Sequence, residues 1–294
     1  MHFTGPIYRP PVEAMMGTEL LQVTVGCAHN ACHFCTMYRS EEFRVEPMAQ
    51  IEDDIKELRE SNPYIRRIFL VNGDAFVLST SKLKRITDMI IEHIPEVEVI
   101  TMYASINNVK AKSDEQLKQI KEMRINDLWM GTETGNAESI EYINKGHTLD
   151  EAYKQLERLN RAEIRHCDGY MLGVAGKGKG IENAEDSARL INESKPSIIW
   201  YGTLGLFEGG EMHLAMLNGE FKQATEREII EEEIRVLELL DLDNVPFYGI
   251  HPTNTSSVKG MIPQDRNRMI NQLQNYLATE NSTFLNSSKE RLIL

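Results

Sequence analysis

Six short apolar runs set the pattern of this sequence, at residues 20–25, 67–71, 97–103, 127–130, 164–172 and 197–204, with longer stretches between them that carry apolar residues at helical spacing. Runs this short and this apolar read as strands buried on both faces, and the stretches between them as amphipathic helices. Repetition of strand and helix has one economical solution, parallel pairing through right-handed crossovers. Helices are expected at 48–60, 80–93, 114–123, 149–161 and 184–194, the first opened by Pro47 and later ones capped by Ser113 and Asp150. The fold class is therefore α/β, a partial (β/α)6 barrel of TIM type. Residues 1–18 read as an N-terminal arm, 19–204 as the barrel core, and 205–294 as a helical extension over the substrate side. Within that extension a strong amphipathic helix is expected at 225–240, a strand or extended segment at 245–250, and a last helix at 263–277. No repeat, low-complexity tract or interdomain linker interrupts the chain, so a single domain is expected.

In parallel α/β folds the functional loops follow the C-terminal ends of the strands. After the first run comes VTVGCAHNACHFCTMYR, which places Cys27, Cys32 and Cys35 within nine residues. Three thiolates so close together serve a metal or cluster rather than an apolar core. Iron–sulfur clusters usually take four cysteines, so three leave one iron open to a cofactor or substrate. A structural zinc site completed by His29 or His33 is the other reading. Cys167, the fourth cysteine, lies inside the fifth run and reads as a buried apolar residue. Cysteines bunched in one loop do not make a disulfide framework, which suits a reducing compartment. The start MHFTGPIYRPP lacks the basic and apolar regions of a secretory signal, and no apolar run approaches the ~18 residues of a membrane span. A cytoplasmic location without membrane attachment is expected. The net charge of −13 argues against a nucleic-acid partner and favours cationic or neutral small molecules.

The later strand ends carry further chemistry. VNGDAF follows the second run with Asn72, Gly73 and Asp74, where glycine permits close backbone approach and the carboxylate can pair with a cation. YASINNV offers Ser105 and Asn107 after the third run, GTETG offers Glu133 after the fourth, and GVAGKGKG offers Gly173 and Gly176 after the fifth. That glycine run lacks the Gly-Lys-Ser/Thr ending of a P-loop. Candidate substrate contacts are Asp168 in the fifth run, Tyr201, Glu208 and His213 in YGTLGLFEGGEMH, and His251 and Asn254 in HPTNTSS.

Taken together, roughly from residue 23 to 204, these motifs resemble the radical SAM enzymes. Those commonly space their cysteines with three and then two intervening residues; here there are four and two. Phe34, immediately before Cys35, agrees with the family pattern. The resemblance implies a 4Fe–4S cluster on Cys27, Cys32 and Cys35, with S-adenosylmethionine chelating the open iron. It further implies Phe34 and the Met37 backbone near adenine, and the methionyl ammonium at Gly73 and Asp74. Ser105 and Asn107 would meet the amino-acid end or ribose, Glu133 a ribose hydroxyl, and Gly173 and Gly176 the adenine surroundings. The activity implied is hydrogen abstraction from a small-molecule substrate, of lyase type, with another reaction of the family (methylation or peptide modification) as the alternative, and with electrons from a donor such as flavodoxin or ferredoxin.

Overall fold

The computed structural model describes residues 1–291. Eight strands form a mostly parallel sheet in chain order: β1 (Glu19–Gln22), β2 (Arg67–Val71), β3 (Val99–Ala104), β4 (Leu128–Glu133), β5 (His166–Leu172), β6 (Ile198–Thr203), β7 (Val245–Gly249) and β8 (Val258–Ile262). Parallel registers join β1 to β2, β2 to β3, β3 to β4, β5 to β6 and β6 to β7; β8 returns antiparallel to β7. The helices include α1 (Pro11–Met15), α2 (Met48–Ser61), α3 (Thr80–His93), α4 (Asp114–Glu122), α5 (Leu149–Arg161), α6 (Gly180–Ser194), α7 (Glu226–Leu239) and α8 (Arg266–Thr279).

The six expected strands are β1 to β6. After residue 204 the expected strand at 245–250 is β7, and β8, which was not expected, returns beside it to extend the sheet by a hairpin. The first run also divides: β1 stops at Gln22, and Thr24–Val25 pairs instead with Arg44–Val45 in a small antiparallel ladder. Capping follows local hydrogen bonding. Ser113 and Gln116 form a capping box on α4. At α5 the cap is Thr148, whose hydroxyl accepts from Glu151 N–H while the Glu151 carboxylate accepts from Thr148 N–H; Asp150 sits in the first turn instead.

By packing, the residues fall into two compact units interleaved along the chain. Met1–Asn30, Met37–Gly131 and Lys154–His166 form the first, and Ala31–Thr36, Thr132–Tyr153 and Cys167–Leu294 the second.

In the first unit the N-terminal segment is anchored through α1. α1 carries Glu13, fully buried, whose carboxylate accepts from Arg67 at 2.6 and 2.7 Å, from Trp129 Nε1 at 2.6 Å and from the Thr18 hydroxyl at 2.6 Å. Arg67 also donates to Asp127 at 2.6 Å, and Arg165 donates to the other Asp127 oxygen at 2.6 Å. Arg67 opens β2 and Asp127 immediately precedes β4, so this network closes the N-terminal ends of the strands. In parallel α/β folds that end carries stability and the opposite end carries chemistry.

In the second unit, residues alternate between the two faces of β5 and β6. Tyr170 and Tyr201 stack at 5.4 Å between ring centroids, and Tyr201 stacks on Phe247 at 5.6 Å. Both tyrosines are almost wholly buried.

Candidate functional site

The cysteine loop begins in the first unit with Cys27 and continues in the second with Cys32 and Cys35. Each part is tied within its own unit. In the first, Gly26 N–H donates to Asn72 Oδ1 at 3.3 Å and Gly73 N–H to the Gly26 carbonyl at 3.2 Å, stitching the loop to the end of β2. Asn72 is buried at φ +76°, a left-handed conformation asparagine tolerates. Gly73 is required by closeness: a Cβ there would lie 2.6 Å from the Tyr38 ring and 3.1 Å from Cys27 Cβ. Tyr38 is buried, and its carbonyl accepts from Asn30 Nδ2 at 2.7 Å.

Asp74, also buried, precedes a short 3-10 turn over Ala75–Val77. Lys112, which the sequence did not single out, donates to the Phe76 carbonyl at 2.7 Å and lies 4.3 Å from the centre of the Phe76 ring. Burial pushes the Lys112 ammonium down to about 8, and the nearby Asp74 carboxylate pulls the other way. Ser105 caps the short helix Ile106–Lys110, its hydroxyl oxygen accepting from Asn108 N–H, and Asn107 is half-buried on that helix. Met37 is half-buried.

In the second unit the backbone around Cys32 and Cys35 is pinned from several sides. His33 N–H donates to the Ile143 carbonyl at 3.0 Å, its ring nitrogen donates to the Tyr142 carbonyl at 2.6 Å, and its own carbonyl accepts from Met212 N–H at 3.1 Å. Asn144 Nδ2 donates to the Ala31 carbonyl at 2.9 Å. Phe34 packs on an apolar cluster that includes Ile143, Val174, Leu206 and Phe221. Glu133, at φ +67°, ends β4 and pairs with Lys145 at 2.9 Å, a partner with no signal in the sequence pattern. Gly173 and Gly176 hold φ values of +76° and +83°, which explains glycine at both.

The substrate candidates, all in the second unit, separate into three groups. Asp168 and Tyr201 are corrected: they stand on the helix-facing side of their strands, Asp168 accepting from the Ser194 hydroxyl at 3.5 Å and Tyr201 stacked between two other rings. The period of two along a strand puts Gly169, Trp200 and Gly202 on the other face. His251 lies against Gly202 and edge-on to Trp200, with centroids 5.2 Å apart. Its Nδ1 accepts from Thr253 N–H, and burial pushes the imidazole down to about 4, so it is neutral at physiological pH. Asn254 donates to the Tyr201 carbonyl at 3.0 Å and accepts from the Thr203 hydroxyl at 3.1 Å, fixing the end of β6. Glu208 is exposed, and His213 is half-buried on the helix Glu211–Leu217. Cys167 is fully buried, as expected for an apolar role.

The donor set fits an iron–sulfur cluster. None of the three loop cysteines is in a disulfide and all are half-buried; thiolates are the soft ligands such clusters use. Gly73 leaves room directly beside Cys27, which any larger residue would take. Among the described residues no three His, Cys, Asp or Glu side chains are drawn together as the cage of a single ion. Nor is any described helix long and apolar enough to cross a membrane.

Comparison with known proteins places these observations. Heme chaperone HemW from Lactococcus lactis is 28% identical over 137 residues, covering 46% of this chain and 36% of that protein. Its counterpart from Bacillus subtilis is 22% identical over 205 residues, covering 64% of this chain and 53% of that protein. The chain thus spans between about a third and about half of the curated relatives it matches. Among solved structures, archaeal Elp3 from Methanocaldococcus infernus superposes with a TM-score of 0.54 at 15% identity, covering 89% of this chain and 63% of that one. Coproporphyrinogen III oxidase (HemN) from Escherichia coli, described as a radical SAM enzyme, gives 0.53 at 14% identity, covering 75% and 52%. At such identities the likeness speaks to the fold, a partial TIM-like barrel. The Radical SAM superfamily model matches residues 21–191, from within β1 to near the end of α6. With its cysteine loop and strand-end residues in that order, the chain belongs to the radical SAM superfamily, whose cofactors are a 4Fe–4S cluster and S-adenosylmethionine.

Proposed function

We propose that the chain is an enzyme that removes a hydrogen atom from a small molecule and so initiates a lyase-type bond cleavage. The observation that carries this reading is the trio Cys27, Cys32 and Cys35, with a barrel whose later strand ends present polar and glycine-rich segments in the family's order. When bound, the cluster and S-adenosylmethionine would supply the reductively triggered radical chemistry that removes the substrate hydrogen, with the electron coming from a flavodoxin- or ferredoxin-class donor. The chain's residues hold and shield. The three cysteines ligate iron. Asp74, near the Lys112 ammonium, accepts the methionyl ammonium. Ser105 and Asn107 meet the amino-acid end or ribose, and Glu133 takes a ribose hydroxyl. Phe34 and Met37 border the adenine, with the Gly173 and Gly176 backbone approaching closely. His251, neutral and held by Thr253, offers a substrate a hydrogen bond without charge; Asn254 and His213 are the further candidate substrate contacts.

For the substrate, the reading is queuine, with release of 7-aminomethyl-7-deazaguanine. A cationic amine suits an acidic chain, and Glu208 is left as the acceptor for a guanine-like edge, since Asp168 faces the helices. A second reading comes from the curated relatives, which are named as heme chaperones and favour a tetrapyrrole ligand. One experiment separates them. Anaerobically reconstituted protein is incubated with dithionite, S-adenosylmethionine and queuine, a model peptide or hemin. The first reading expects deazaguanine product with 5′-deoxyadenosine in step. Methylated or modified peptide, or tight hemin binding without product from queuine, would overturn it.

A further inference from the structure

Two of the strand-end loops in the second unit are joined by a buried chain of hydrogen bonds that sequence reasoning did not find. Its centre is Glu232, on α7, with 1% of its surface exposed. One carboxylate oxygen accepts from Gly173 N–H at 2.9 Å; the other accepts from Asn183 Nδ2 at 2.6 Å. Asn183 in turn accepts from the Thr134 hydroxyl at 2.5 Å. Thr134 Oγ1 also accepts from Asn136 N–H at 2.8 Å, and the neighbouring Gly135 N–H donates to the Ser187 hydroxyl at 2.9 Å. The chain therefore runs from the loop after β4 through α6 to the loop after β5.

The sequence is built to admit it. Gly180, Asn183 and Ser187 recur on one face of α6 at helical spacing. A Cβ on Gly180 would lie 3.0 Å from Glu232 Oε2, and one on Gly135 would lie 2.4 Å from the Asp186 carbonyl oxygen. Both glycines open the space in which the loops close on the helices. Burial pushes the Glu232 carboxyl up to about 8, while the Asn183 and Gly173 bonds act in the opposite sense. A carboxyl kept in so costly a place is retained for the two donors it joins.

We propose that Glu232 is a positioning residue for the adenosine end of S-adenosylmethionine, fixing the Gly173 loop and, through Asn183 and Thr134, the loop of Glu133 in one arrangement. The proposal rests on the reading that Glu133 and Gly173 border that part of the cofactor. Glu232 touches no reacting atom. Its effect is to set the Gly173 backbone and the Glu133 segment before the cofactor arrives.

The test uses the reconstituted full chain and the variants Glu232→Gln, Thr134→Val and Glu133→Gln. Glutamine supplies one acceptor where two are needed and turns an N–H group toward one of the facing donors. Affinities for S-adenosylmethionine and for methionine alone are measured by titration, with amide hydrogen exchange on the apo protein. Expected for Glu232→Gln and Thr134→Val are faster exchange in the two loops and about tenfold weaker S-adenosylmethionine binding, with methionine binding and iron content unchanged. If Glu133→Gln weakens cofactor binding but Glu232→Gln and Thr134→Val do not, positioning by Glu232 is overturned while the site reading stands. If all three variants bind as the wild type does, both fall. If Glu232→Gln and Thr134→Val lower methionine and S-adenosylmethionine affinity equally, the role is general folding and the proposal is overturned.

Discussion

Gly73 shows how much a single position decides. With Tyr38 and Cys27 both inside the reach of a Cβ, Gly73→Ala forces a shift in the cysteine loop or in the end of β2. The variant is expected to lose roughly 1–3 kcal/mol of stability and to retain less iron after reconstitution, measured by denaturant unfolding and iron assay. His251 gives a pH signature of its own. Its imidazole is depressed from 6.5 to about 4 by burial, so the unfolded chain binds the proton first as pH falls. The stability this confers is complete above pH 6.5 and is lost as pH drops through 4. Glu232 runs the other way: raised from 4.5 to about 8, it confers stability that is complete below pH 4.5 and lost as pH rises through 8. Melting temperatures across this range should show a flatter acid limb in His251→Gln and a flatter alkaline limb in Glu232→Gln. Identical pH profiles in wild type and variants would refute both assignments.

Among the elements, α1 has a weight out of proportion to its five residues. Glu13→Ala leaves Arg67 and Trp129 Nε1 without their buried acceptor, and about 3–5 kcal/mol of stability should go with it. Chemical denaturation of the variant checks this, and a loss below about 1 kcal/mol would show the network to be dispensable. This helix also marks where the sequence stopped being readable. Periodicity located α3 and α5 to the residue, and α2, α4 and α7 to within one, because their apolar stripes are local facts. A five-residue helix of mixed polarity has no such stripe, and the charge partner of its buried glutamate is Arg67, which with Trp129 lies more than fifty residues away. The candidate site divides in the same manner. Cys27, Cys32 and Cys35 declare themselves by spacing. Lys112, Lys145 and Glu232 act through partners that the fold alone brings close. Tyr201 and Asp168, read from the sequence as substrate contacts, are given to the helices by alternation along their strands.

For the whole molecule, a network at the N-terminal ends of the strands holds the first unit together, and the loops at the C-terminal ends carry the cysteines and the cofactor candidates. Stability and chemistry are thereby assigned to different ends, which lets loop residues change without loss of the fold. The most direct measurement is the release of 5′-deoxyadenosine from S-adenosylmethionine by anaerobically reconstituted, dithionite-reduced protein, run beside Cys27→Ser, Cys32→Ser and Cys35→Ser. The wild type should hold a brown iron–sulfur cluster and form 5′-deoxyadenosine, and each serine variant should lose the colour and the product together. A colourless wild type that binds zinc and leaves S-adenosylmethionine intact would contradict it.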